Sequence, residues 1–238
     1  MKTRLFANGC LTYGLWRRWG KARSVFLLVT FLSAALPAAR AVATEPVTVL
    51  ALGDSLTQGY GLVQQDGFVP QLEHWLAEQG IDARLINGGV SGDTTQGGAA
   101  RVEWSLTEDV DAMIVALGGN DLLRGIDPAV SRANLEAILK AAEARDVAVL
   151  LIGLRAPGNY GPDYKAAFDA IYPELAERYD TLYLESFFDG IEAEVDGDRG
   201  AFFQADGIHP NRDGVALIVA AVGPSVAALI ARAQKQNQ

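Results

Sequence analysis

Three short, almost unbroken apolar runs, residues 47–52, 112–117 and 147–154, most limit what this chain can fold into. Each is short for a helix and lacks the alternation of a strand with one wet face. Each therefore reads as a strand buried on both sides, as in parallel sheets. Around them lie segments whose apolar residues recur at helical spacing: 68–79, 96–106, 129–145, 164–179 and 215–231. Residues 84–86 and 181–184 are weaker strands that complete the alternation. Strand and helix alternating this often predict an α/β fold, a central parallel sheet of about five strands covered by helices on both faces. The Gly/Pro-rich stretch 157–162 is short enough to be a loop, so a single domain follows from the leader onward.

Residues 1–43 have a different character. They hold Lys2, Arg4, Arg17, Arg18, Lys21, Arg23 and Arg40 with no acid, then an apolar run over 25–36 and small residues at Ala39, Ala41 and Ala43. Basic, apolar and small-residue regions in that order predict a secretory signal peptide cleaved after Ala43. The apolar run falls short of the roughly 20 residues of a membrane span, which disfavours an uncleaved anchor. Arg17-Arg18 is followed by Trp19, Gly20 and Lys21 rather than an apolar continuation, so a Sec-type leader is expected over a twin-arginine one. The mature chain, 44–238, is then periplasmic or secreted, without stable membrane anchoring, and is expected to act as a monomer. Seven of the 20 basic residues and none of the 29 acidic ones leave with the leader, taking the net charge from −9 to −16. Such a charge repels nucleic acid and anionic membranes. Cys10, the only cysteine, also leaves, which removes disulfides, a thiol nucleophile and a zinc-thiolate site from consideration.

The chemistry-bearing residues follow the apolar runs. The first runs into Gly53-Asp54-Ser55-Leu56, placing Ser55 just past the carboxyl end of a buried strand, where open α/β sheets put their ligands. Ser55 fits a nucleophile there, or a plain helix cap. After the second strand, the small-residue stretch 87–95 reads as a loop in which Gly92 would present a backbone N–H, or merely serve a turn. After the third, Gly118-Gly119-Asn120-Asp121 brings the Asn120 amide to the same edge. With strand order 2-1-3-4-5 these loops are neighbours, and the donors suggest an oxyanion hole. Of the two histidines, His74 lies in a helical stretch and reads as an ordinary surface or packing residue. His209 lies in Asp206-Gly207-Ile208-His209-Pro210, where Asp206 could hold the imidazole tautomer. The same loop could instead only cap the last helix.

These blocks, in this order, resemble the GDSL or SGNH hydrolases. The segments 155–161 and 170–173 bring the resemblance closer to the periplasmic thioesterase, lysophospholipase and arylesterase branch of that family. The resemblance spans nearly all of 44–238 and implies a flavodoxin-like three-layer fold. It implies Ser55, Asp206 and His209 as a catalytic triad, with the N–H groups of Ser55 and Gly92 and the Asn120 amide as oxyanion donors. No metal and no cofactor are implied. The GxSxG elbow of other α/β-hydrolases is absent, since Asp93 stands where its last glycine would be.

The expected reaction is hydrolysis of a small-molecule carboxylic ester or thioester through an acyl-enzyme. Leu154, Pro157 and Tyr160, after the fourth strand, are expected to bind the acyl chain. A carbohydrate O-acetylesterase is the alternative enzyme, and a glycan- or lipid-binding module without catalysis the alternative class. Glu185, Glu192 and Glu194 read as a solvated acidic stretch rather than a glycosidase pair.

Overall fold

Residues 45–194 and 199–236 are described by the computed structural model; the expected leader, residues 1–43, lies outside the described residues. Five parallel strands form one sheet: β1 (Val47–Gly53), β2 (Ala83–Gly89), β3 (Ala112–Ala116), β4 (Ala148–Ile152) and β5 (Leu182–Leu184). Their order is β2-β1-β3-β4-β5, so β1 lies between β2 and β3. Every residue of β1, β3 and β4 is buried, which is why their sequences are almost unbroken apolar runs. The edge strands β2 and β5 are only partly covered and carry a fainter signal.

Nine helices follow in chain order among the described residues: α1 (Ser55–Gln58), α2 (Phe68–Glu78), α3 (Thr95–Ser105), α4 (Gly119–Leu123), α5 (Pro128–Glu143), α6 (Pro162–Asp169), α7 (Ile171–Arg178), α8 (Asp189–Glu194) and α9 (Arg212–Gln236). Helices α2 and α8 pack on α9 over one face of the sheet, while α3, α6 and α7 pack on α5 over the other. Although α9 is long and apolar enough to cross a membrane, Val215, Ile218, Val222 and Leu229 are buried in this protein's own core.

Three segments differ from the sequence reading. The expected helix 164–179 is two helices, α6 and α7, because Pro173 has no N–H for the Asp169 carbonyl and its ring crowds that carbonyl. Asn87, Gly88 and Gly89 extend β2 instead of forming a loop. Their glycines serve close approach: a Cβ on Gly88 would lie 2.9 Å from the Ala51 carbonyl oxygen, and one on Gly89 2.2 Å from the Gln58 nitrogen. The fourth strand ends at Ile152; Gly153 still donates to the Leu184 carbonyl of β5 at 2.8 Å, and Leu154 lies outside the strand.

Candidate active site

β1 carries Asp54 and Ser55 to the carboxyl edge of the sheet. Asp54 caps α1, its Oδ1 accepting the Leu56 N–H at 3.0 Å, so Ser55 is the first residue of the helix and not its cap. Gly53 permits this tight exit, since a Cβ there would fall 2.0 Å from Thr57 Oγ1.

His209 reaches Ser55 from the segment before α9. Its Nε2 lies 2.8 Å from Ser55 Oγ, and its Nδ1 lies 2.7 Å from Asp206 Oδ2. Asp206 Oδ1 accepts the N–H groups of Ile208 at 2.9 Å and His209 at 3.0 Å, in a turn that Gly207 allows with φ 68°. The His209 backbone N–H, the imidazole and the Ile208 N–H together hold the Asp206 carboxyl down to about 2. An anion facing Nδ1 keeps the proton on that nitrogen and leaves Nε2 as an acceptor toward the serine hydroxyl. The Tyr60 ring lies against the imidazole, centroids 4.6 Å apart.

Gly92 and Asn120 come to the same edge. Gly92 is the third residue of a turn closed by the Asp93 N–H on the Val90 carbonyl at 3.0 Å, and its φ of 82° suits glycine. Arg124 donates to the Gly92 carbonyl at 2.8 Å. Arg101 ties this loop to β1, donating to Asp93 Oδ2 at 2.7 Å and to the Gly53 carbonyl at 2.8 Å. Asn120, in the first turn of α4, donates through Nδ2 to the Asp93 carbonyl at 2.9 Å and lies 3.4 Å from Asp54 Oδ2. Its neighbour Asp121 is fully buried and accepts from the Thr95 N–H, the Thr95 hydroxyl and the Ser131 hydroxyl, bolting α4 to α3 and α5. Burial pushes the Asp54 carboxyl up to about 6, against the opposing Leu56 N–H and the nearby His209.

Ser55 and His209 open into a cleft of about 890 Å³. Leu122, Leu123, Leu154, Pro157 and Tyr160 line it from α4 and the loop after β4, and Phe188, Phe203 and Ile208 from segments after β5. All three residues expected to bind substrate are therefore on its wall. His74 is not: it is exposed and paired with Glu78 at 3.1 Å. Glu185, Glu192 and Glu194 are exposed, as expected of a solvated acidic stretch, and Glu185, Asp189 and Glu192 face Arg155 at 3.1, 2.8 and 2.5 Å. Sequence reasoning missed Tyr60 against His209, the burial of Asp54 and the Arg101–Asp93 tie. Only the last had a trace, a lone arginine on a helix otherwise short of charge.

A hydroxyl, an imidazole and a carboxylate in series, with amide donors beside the hydroxyl, are the equipment of nucleophilic acyl transfer. The chain belongs to the GDSL-like lipase/acylhydrolase family, whose model matches residues 51–217. It is 41% identical over 164 residues to the esterase TesA of Pseudomonas aeruginosa, covering 68% of this chain and 79% of that one. It is 36% identical over 198 residues to thioesterase 1/protease 1/lysophospholipase L1 of Escherichia coli, covering 82% and 86%. Its fold is similar to the crystal structure of AlinE4, an SGNH-hydrolase family esterase, at 43% identity and a TM-score of 0.64 over 78% of this chain and 97% of that one.

Proposed function

We propose that the protein is an exported serine esterase that cleaves carboxylic esters and thioesters through an acyl-enzyme. Ser55 Oγ attacks the carbonyl carbon while His209 Nε2 takes its proton. The N–H groups of Ser55 and Gly92 and the Asn120 amide receive the charge that develops on the carbonyl oxygen. The imidazolium, facing the Asp206 carboxylate, returns its proton to the departing alkoxide or thiolate. Water, deprotonated by the same imidazole, then releases the acid.

The observation that carries this reading is the unbroken line Ser55 Oγ, His209 Nε2, His209 Nδ1, Asp206 Oδ2, with both contacts at hydrogen-bond length. The apolar wall of Leu122, Leu123, Leu154 and Pro157 supports acyl chains longer than acetyl, and so supports the esterase reading over an O-acetylesterase. Residues 1–43 act as a cleaved leader, and 44–238 is the working enzyme, a monomer in the periplasm or outside the cell. Ser55→Ala is expected to abolish hydrolysis of p-nitrophenyl esters and labelling by a fluorophosphonate while leaving the circular dichroism spectrum unchanged. Residual turnover in pure mutant protein would remove Ser55 from the mechanism. A binding module without catalysis would leave the unmutated protein unlabelled.

A further inference from the structure

We propose that Gln204 is a positioning residue that holds His209 in register with Ser55. This rests on the reading of Ser55 and His209 as nucleophile and base. The two groups belong to separate segments, 54–63 after β1 and 203–210 before α9. Among the described residues two hydrogen bonds join these segments: the one between Ser55 Oγ and His209 Nε2, and one from Gln204 Nε2 to the Tyr60 carbonyl at 2.8 Å. The first is rearranged each time the proton moves, so the second has to keep the distance.

Gln204 is built into this place on three sides. Its Nε2 also donates to the Pro210 carbonyl at 3.0 Å, so both hydrogens of the amide are used, one on each segment. Its backbone N–H donates to the His209 carbonyl at 2.8 Å. On the other side the Tyr60 N–H donates to the Ser55 carbonyl at 3.1 Å. The bonds close a circuit from Ser55 through Tyr60, Gln204 and His209 back to the Ser55 hydroxyl. The same anchor fixes the Tyr60 backbone while its ring lies against the imidazole. Gly61 leaves room for the amide: at φ 75°, a Cβ there would fall 2.1 Å from Gln204 Oε1.

Gln71 is the natural comparator. It also bridges two carbonyls, Asp66 at 2.8 Å and Arg212 at 3.1 Å, and so ties the start of α2 to the start of α9 outside the circuit. A group that merely adds stability would behave as Gln71 does. A positioning group would change kcat, because misplacement by an ångström costs on the order of 100-fold in rate.

The experiment measures kcat and KM for p-nitrophenyl butyrate on the full mature enzyme, per active site titrated with fluorophosphonate, and Tm for each variant. Gln204→Ala and Gln204→Glu are expected to lose about 10- to 100-fold in kcat with KM within about twofold. Glu keeps the volume but as a carboxylate cannot donate, so it decides the matter if Ala fails to fold. Gln71→Ala is expected to lower Tm and leave kcat alone. Wild-type kcat per site in both Gln204 variants would overturn the proposal. Turnover surviving Ser55→Ala would instead bring down the reading beneath it.

Discussion

Asp54 is an acid kept where its charge is unwelcome. Its carboxyl is buried beside Ser55, and burial pushes it up to about 6 from an ordinary value of 3.8. Folding therefore takes up a proton between about pH 4 and 6, and stability falls as pH rises through that window. Above it the buried anion costs on the order of 3 kcal/mol. Asp206 works in the opposite sense. Its pKa is lowered to about 2, so its bonds stabilise the fold above pH 4 and that contribution is lost as pH falls toward 2. Asp54→Asn keeps an oxygen for the Leu56 N–H and removes the charge. Urea unfolding is expected to find it more stable than the parent at pH 8 and no more stable at pH 4. Asn120→Ala is expected to lower kcat by about 100- to 1000-fold with a smaller change in KM, the loss typical of one oxyanion donor. An effect on KM alone would make Asn120 a substrate contact. At this scale the polar residues that follow buried strands, Ser55 and Asn120, were legible because position and chemistry coincide, and His209 was legible from Asp206 beside it ahead of the last helix. Asp54 and Gln204 were not, since one takes its meaning from burial and the other from a carbonyl 144 residues away.

The strands buried on both faces announced themselves, whereas the edges were harder to read. In β2 the run Asn87-Gly88-Gly89 looks like a turn, because glycine in sequence signals either a turn or a close neighbour, and the neighbour, Ala51, lies far back in the chain. The gap between α6 and α7 was visible in Pro173, but the helical spacing on either side concealed it. The loop after β4 carries Pro157 and Tyr160 to the cleft wall, and each methylene buried there contributes up to about 0.8 kcal/mol. Shortening it between Gly158 and Gly161 is expected to lower kcat/KM for octanoate and longer esters far more than for acetate. Equal losses across the series would show that the loop supports the catalytic residues instead. On the opposite face, Gly223 of α9 meets Trp75 so closely that a Cβ would lie 2.7 Å from the indole. Gly223→Ala is expected to cost about 1–3 kcal/mol in unfolding free energy, with kcat unchanged in the folded fraction.

For the molecule as a whole, strand order 2-1-3-4-5 could be anticipated as a common order for doubly wound sheets, and it makes the loops bearing Ser55, Gly92 and Asn120 neighbours. The circuit of hydrogen bonds from Ser55 through Tyr60 and Gln204 to His209 could not, since sequence shows which groups are present and not which carbonyls face them. If residues 1–43 are a leader, N-terminal sequencing of the exported protein should begin at Thr44. Protein made directly as 44–238 should then match it in kcat. Ser55 and His209 stand 154 positions apart, one at the first strand and the other just before the last helix. If His209 is the base for Ser55, a chain still on the ribosome has a serine without one. Its hydroxyl is then no more reactive than any other, and ester hydrolysis waits until the final helix has docked.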